Sequence, residues 1–119
     1  MISTGNSEYR WRCKEIIRGA LERPSTYYSR LQELDWMLVG HAIAHEQMKL
    51  IGRRDAFHIQ FSDWLYEKHR LSCSTGWGEA IESLSKDLPT NAHRFEQWGS
   101  AFMEQWEDSA SAPGNILPN

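Results

Sequence analysis

The chain holds two cysteines, Cys13 and Cys73, and they stand far apart. Neither falls in a metal or redox spacing, so a disulfide framework and a Cys-rich metal module are both excluded. No apolar stretch follows Met1, where the sequence reads MISTGNSE. That start does not have the form of an export signal, and the expected address is the cytoplasm, where both thiols stay reduced. No apolar run is long enough to span a bilayer. Period-2 alternation is missing, which removes strands, and no internal repeat appears. A phosphate-cradling glycine loop is missing too. Gly76-Trp77-Gly78 lacks the lysine and the preceding strand that such a loop needs.

Charge is scarce in one half. Residues 1–54 carry nine basic and six acidic side chains, whereas residues 55–119 carry four basic and ten acidic, giving −3 overall. An acidic half repels phosphates, which argues against nucleic acid as a ligand and is compatible with a basic protein partner. With 119 residues, six Trp and four Phe, the chain can bury one real core without staples.

The best-marked stretch is residues 31–51, LQELDWMLVGHAIAHEQMKLI. Leu34, Met37, Leu38, His41 and His45 follow one helical stripe, and Trp36, Val39 and Ile43 follow another on the far side. A helix apolar all round is expected to be buried on all sides. Ser29 is its expected cap and Gly52 its expected stop. Gly40, unfavourable inside a helix, suggests close approach of another backbone. Before it, Ser7 is expected to cap a helix reaching Glu22, and Pro24 stops that helix, leaving residues 23–28 extended. After it, Asp55 caps a helix over 56–69. A short helix follows over about 76–86, and Thr90 starts one over about 91–107. The Ser/Ala/Pro/Gly-rich tail, 108–119, reads as disordered. The expectation is an all-α domain over 1–107, a compact five-helix bundle around a buried central helix of about 30–51.

His41 and His45, one helical turn apart, could share a metal ion if His58, His69, His93 or Asp63 supplied a third ligand. The Glu follows the second His, so the order is not that of a zinc protease. His41 also continues the core stripe of Leu34 and Leu38, and a buried neutral imidazole explains it more simply. Ser29, Ser62 and Ser83 lack a strained elbow, and neither cysteine has a nucleophile's surroundings. The pairs Glu79/Glu82 and Glu104/Glu107 read as solvated helix faces. What remains is a surface: Ile59, Asp63 and Tyr66 share the outward face of the 56–69 helix, with Glu67 at its edge. Aromatic and apolar anchors among charges suit a protein-binding patch, which Glu79 and Glu82 would extend.

Three pieces in order resemble a known pattern. They are Arg23-Pro24-Ser25-Thr26-Tyr27; Leu34-x-x-Met37-Leu38-x-Gly40-His41-x-x-Ala44; and Phe61-x-x-Trp64-Leu65, Ser74-Thr75-Gly76-Trp77-x-x-x-Ile81 and Phe95 with Phe102. Together, over about residues 15–106, they resemble a family of small all-α bacterial proteins encoded beside polymorphic or contact-dependent toxins and taken to be immunity proteins. Thr26 stands where that pattern has Met, and His41 where it has Tyr. An aromatic at the latter position implies a packing slot. The resemblance implies a non-enzymatic protein without cofactor that occludes a cognate toxin. It supplies no catalytic residues and no transferable binding surface. The charge split adds the expectation of a basic, nuclease-like toxin, with no nucleic acid and no membrane as partner.

Overall fold

The structure of the protein, a computed structural model, describes residues 4–110 and the side chains of residues 7–106. It is all-α among those residues. Helices α1 (Thr4–Glu22), α2 (Pro24–Tyr27), α3 (Leu31–Gln47), α4 (Phe57–His69), α5 (Trp77–Glu82) and α6 (Leu88–Ala110) follow in order, with a 3-10 turn at Arg53–Asp55 before α4. Five of the six are the helices expected. The sixth, α2, is one turn where an extended link was expected. Arg23 is non-helical, as the residue before a proline should be, but Pro24 then takes the first position of a new helix.

Helix α3 packs on α1, α4 and α5, while α6 closes the bundle against α1, α4 and α5. Rings fill the space between α4, α5 and α6. Trp77 stacks on Phe95 at 5.2 Å between centroids, and Phe61 meets Trp77 edge-on at 5.2 Å. Phe57 contacts the rings of Phe102 and Trp106, each at 5.6 Å. These rings come from periodic stripes that the sequence shows, and the core they form is continuous with Tyr9, Cys13 and Ile17 of α1.

Several boundaries move for identifiable reasons. Helix α1 begins by Thr4, so Ser7 lies inside it rather than at its cap. The first three residues lie outside the described ones. Helix α6 runs through Ala110, past the expected end near residue 107, and the tail expected to be disordered is otherwise outside the described residues. Arg30, not Ser29, is the cap residue of α3. The Glu33 carboxylate reaches back to accept from the backbone N–H groups of Ser29 (2.9 Å) and Arg30 (3.2 Å), so the acid in the first turn does the work assigned to the serine. Asp55 is spent on the Gly52 N–H at 2.9 Å. The opening N–H of α4, on Phe57, instead donates to the Tyr9 hydroxyl of α1 at 2.7 Å.

Helix α3 stops at Gln47, one turn before Gly52. Leu50 donates to the His45 carbonyl and Lys49 to that of Glu46, both at 2.9 Å, with Lys49 in the left-handed region at φ 62°. This is the Schellman closure that usually places glycine where Lys49 sits. Lys49→Gly is therefore expected to raise stability by about 1 kcal/mol in urea or guanidinium titration, by relieving the left-handed penalty of a side chain.

The all-round burial of α3 is not observed. Leu31, Leu34, Asp35, Leu38, Ala42 and His45 face inward, while Trp36 is 63% exposed, Ile43 45% and Met37 42%. Of the second apolar stripe, Trp36 and Ile43 point to solvent and Val39 is half-buried. Gly40 lies in the middle of this open side, and a Cβ there would meet nothing within 4 Å. The close backbone approach exists elsewhere. A Cβ on Gly78 of α5 would lie 2.7 Å from the Leu31 carbonyl oxygen and 2.9 Å from the Gln32 Cα. Across this contact the two helices cap each other. Gly78 N–H donates to Asp35 Oδ2 at 3.0 Å, and Leu31 N–H donates to Glu82 Oε2 at 2.8 Å.

Candidate binding surface

Helix α4 buries Phe57, Phe61 and Leu65 completely, and the period of these residues leaves Asp63, Tyr66, Glu67 and Arg70 outside. Asp63 and Glu67, four residues apart, form a ridge with an open depression on each side. One, of about 640 Å³, is walled by Ser62, Tyr66, Arg70 and Cys73. The other, of about 480 Å³, is walled by Arg54, Trp64, Lys68 and Phe102. Tyr66 is 56% exposed, and the Arg70 guanidinium lies 5.7 Å from its ring centroid. Arg70 is also the left-handed residue that ends α4, at φ 54°. That kink turns the chain back along the helix and makes the first depression.

Asp63, Tyr66 and Glu67 are thus brought together as expected. Ile59 is half-buried, packs on the core and lines neither depression. Glu79 is exposed but lines neither depression. Glu82 is not a solvated acid. Its side chain is 8% exposed and accepts from Arg30 Nε at 3.0 Å and Nη2 at 3.2 Å besides the Leu31 N–H. It belongs to the internal lock between α3 and α5. Arg70, four residues after Tyr66, falls on the same outward face by its spacing, as the sequence implies. The spacing was visible, but a non-glycine left-handed turn was not.

The ridge is mixed in sign. Arg54 Nη2 lies 3.6 Å from Asp63 Oδ2, both largely exposed, and such a pair contributes little in water. Lys68 and Arg70 add positive charge beside Glu67. The surface can offer a partner one aromatic face and groups of both charges. Burial pushes the Cys73 thiol up to about 11, so it stays protonated beside Ser62 and is a poor nucleophile.

The histidines lie elsewhere, between α1 and α3. Their rings are 4.4 Å apart, and Tyr9 packs against both, at 5.3 Å from His41 and 5.2 Å from His45. His45 Nδ1 is taken by the His41 carbonyl at 2.9 Å, and His41 Nδ1 lies 3.6 Å from the buried Cys13 Sγ. Burial holds the Cys13 thiol up near 12, far from a thiolate. Among the described residues no group of three His, Cys, Asp or Glu side chains converges as metal ligands would. The donor set around His41 and His45 therefore fits a packed ring stack better than an ion.

The stack makes stability pH-dependent. Burial, then the neighbouring His45 and Arg12, push His41 below its ordinary 6.5. His58 is pushed the same way by burial and Arg53. The folded state then binds these protons more weakly than the unfolded chain, so their contribution is fully present above 6.5 and is lost as pH falls through the lowered values. Asp35, pushed up by burial, acts with the opposite sign, because acid relieves the penalty of its buried charge. Unfolding free energy measured in urea from pH 7 to pH 5 should therefore fall less steeply in His41→Phe than in the parent chain. Parallel curves would show that His41 is not the titrating group.

No helix among the described residues is long and apolar enough to cross a membrane. No family model, no curated protein and no solved structure matches this chain.

Proposed function

We propose that this protein is a binding module that neutralises a cognate bacterial toxin in the cytoplasm by covering its active site or an essential surface, with no chemistry or cofactor of its own. The observation carrying the binding part is the Asp63–Glu67 ridge, with Tyr66 exposed beside it and a depression on either side. A ridge of this kind fits between two protrusions of a partner, and an exposed Tyr among charges is the type of residue on which binding energy concentrates. The toxin part rests on the pattern resemblance described for residues 15–106. The surplus of acids in residues 55–119 supports a basic partner. Local charge on the ridge is nearly balanced, so the attraction would come from the molecule as a whole and act mainly on the rate of encounter.

Purification of the tagged chain from its native cells, with identification of what accompanies it, supplies the partner. Co-expression should then relieve that partner's toxicity. Tyr66→Ala is expected to weaken binding at least about tenfold and Asp63→Ala by less, since Asp63 must first leave Arg54. Unchanged affinity in both variants would move the interface off α4. An association rate that stays constant from about 50 to 500 mM salt would remove the steering by charge.

A further inference from the structure

We propose that α3 pairs with the α3 of a second copy of this chain, antiparallel about a two-fold axis passing beside Gly40. The face concerned is the open side of α3: Trp36, Met37, Gly40, Ile43 and Ala44 are all exposed, and Met48, 60% exposed, continues it past the helix end. Between Glu33 and Glu46 the helix carries one acid or base other than histidine, Asp35, and Asp35 faces the core. This bare face therefore has no counter-charge for a basic partner, which sets it apart from the mixed ridge on α4.

Its shape is self-complementary. Large side chains precede Gly40 and smaller ones follow at matching distances. Inversion about Gly40 lays Trp36, four residues before it, on the partner copy's Ala44, four residues after it. It lays Met37 against Ile43, and Glu33 against Gln47, at the ends. At the crossing point the two Gly40 positions meet with no side chain between them, which lets the backbones approach. Gly40 has no explanation among the described residues of one copy, since none of them outside its own helix turn lies within 4 Å of a Cβ built there. Isologous pairs about a two-fold are the commonest assemblies of identical chains.

The apolar area supplies about half of what a standard interface buries. The exposed parts of Trp36, Met37, Ile43 and Met48 offer on the order of 400 Å² per copy, as large as the biggest apolar patch of an ordinary monomer. With a polar margin they approach the roughly 800 Å² per partner of a standard stable interface. An apolar centre of this kind is characteristic of contacts between identical chains.

The proposal needs no toxin, so it is tested on the purified full chain. Sedimentation equilibrium should give twice the 13.9 kDa mass of the chain at tens of micromolar. The double variant Trp36→Glu with Ile43→Glu should give the single-chain mass with unchanged helical circular dichroism, because both residues are exposed. Should that variant lose helix, Gly40→Lys takes its place, since lysine suits an exposed helix position better than glycine. A single-chain mass for the parent at hundreds of micromolar would overturn the proposal. So would a double mass persisting in the folded variant. Orientation is read by mixing Met37→Cys with Ile43→Cys, each in a Cys73→Ser background. Short bismaleimide reagents should join 37 to 43 in preference to 37 to 37, and the reverse preference would overturn the antiparallel arrangement.

Discussion

Gly78→Ala is expected to destabilise the protein by about 3–5 kcal/mol, a large share of the 5–15 kcal/mol that holds a domain of this kind together. The added Cβ would fall 2.7 Å from the Leu31 carbonyl oxygen and 2.9 Å from both the Gln32 Cα and its nitrogen. All three atoms are backbone of the first turn of α3, so none can swing aside. Relief requires α5 to move away from α3, and that movement breaks two bonds at once. Asp35, 4% exposed, would lose the Gly78 N–H as donor, and the Leu31 N–H would lose Glu82. Overpacking accounts for about 1–3 kcal/mol and the loss of a charge-assisted bond for about 1.5–3 kcal/mol more. The midpoint of guanidinium unfolding measures the sum. A variant within about 0.5 kcal/mol of the parent would mean that α5 is free to slide, against the geometry described.

Trp77→Ala, one residue earlier, should cost a comparable 3–5 kcal/mol by a different route. Trp77 is fully buried, stacked on Phe95 at an interplanar angle of 13° and edge-on to Phe61 and Phe57. Its removal leaves a cavity bordered by three rings that belong to two long helices and cannot collapse into it. The indole N–H makes no hydrogen bond among the described residues. The loss is therefore one of volume and contact alone, and Trp77→Phe should cost less than about 1.5 kcal/mol, because it removes an unpaired donor with the second ring. Equal losses in the two variants, by thermal or chemical unfolding, would place the energy in the part of the indole that phenylalanine lacks rather than in the single ring that both can stack.

Much of the bundle is legible in the sequence because periodicity records which residues face inward. Tyr9, Cys13 and Ile17, then Phe57, Phe61 and Leu65, then Phe95, Phe102 and Trp106 are stripes in the chain and core in the fold. Periodicity alone misleads at α3. A helix apolar on both sides has two faces that look alike in the sequence, and only the count of neighbours decides which is covered. The other described elements cover one, and Trp36 and Ile43 are left on the other. Glycine has the same ambiguity. Gly40 and Gly78 both sit within helical patterns, and the one that admits another backbone of its own chain is the one in the short helix, where sequence offers no cue. Acids are harder still. Glu79 and Glu82 are three residues apart and chemically alike, but α3 stands over the second and turns it into a cap. On α4 the ridge of Asp63 and Glu67 with Tyr66 could be drawn from spacing, whereas the wall made by Arg70 depends on a left-handed residue that spacing does not reveal.

The bond from the Phe57 amide to the Tyr9 hydroxyl joins positions 48 residues apart in the chain. The opening turn of α4 is thereby completed by a group that α1 alone can deliver. A fragment beginning after residue 9 would leave that amide buried without an acceptor, and the disorder would spread along the same helix that displays Tyr66. The smallest recombinant piece able to present this surface therefore has to retain the front of the protein, even though no atom of α1 lines either depression.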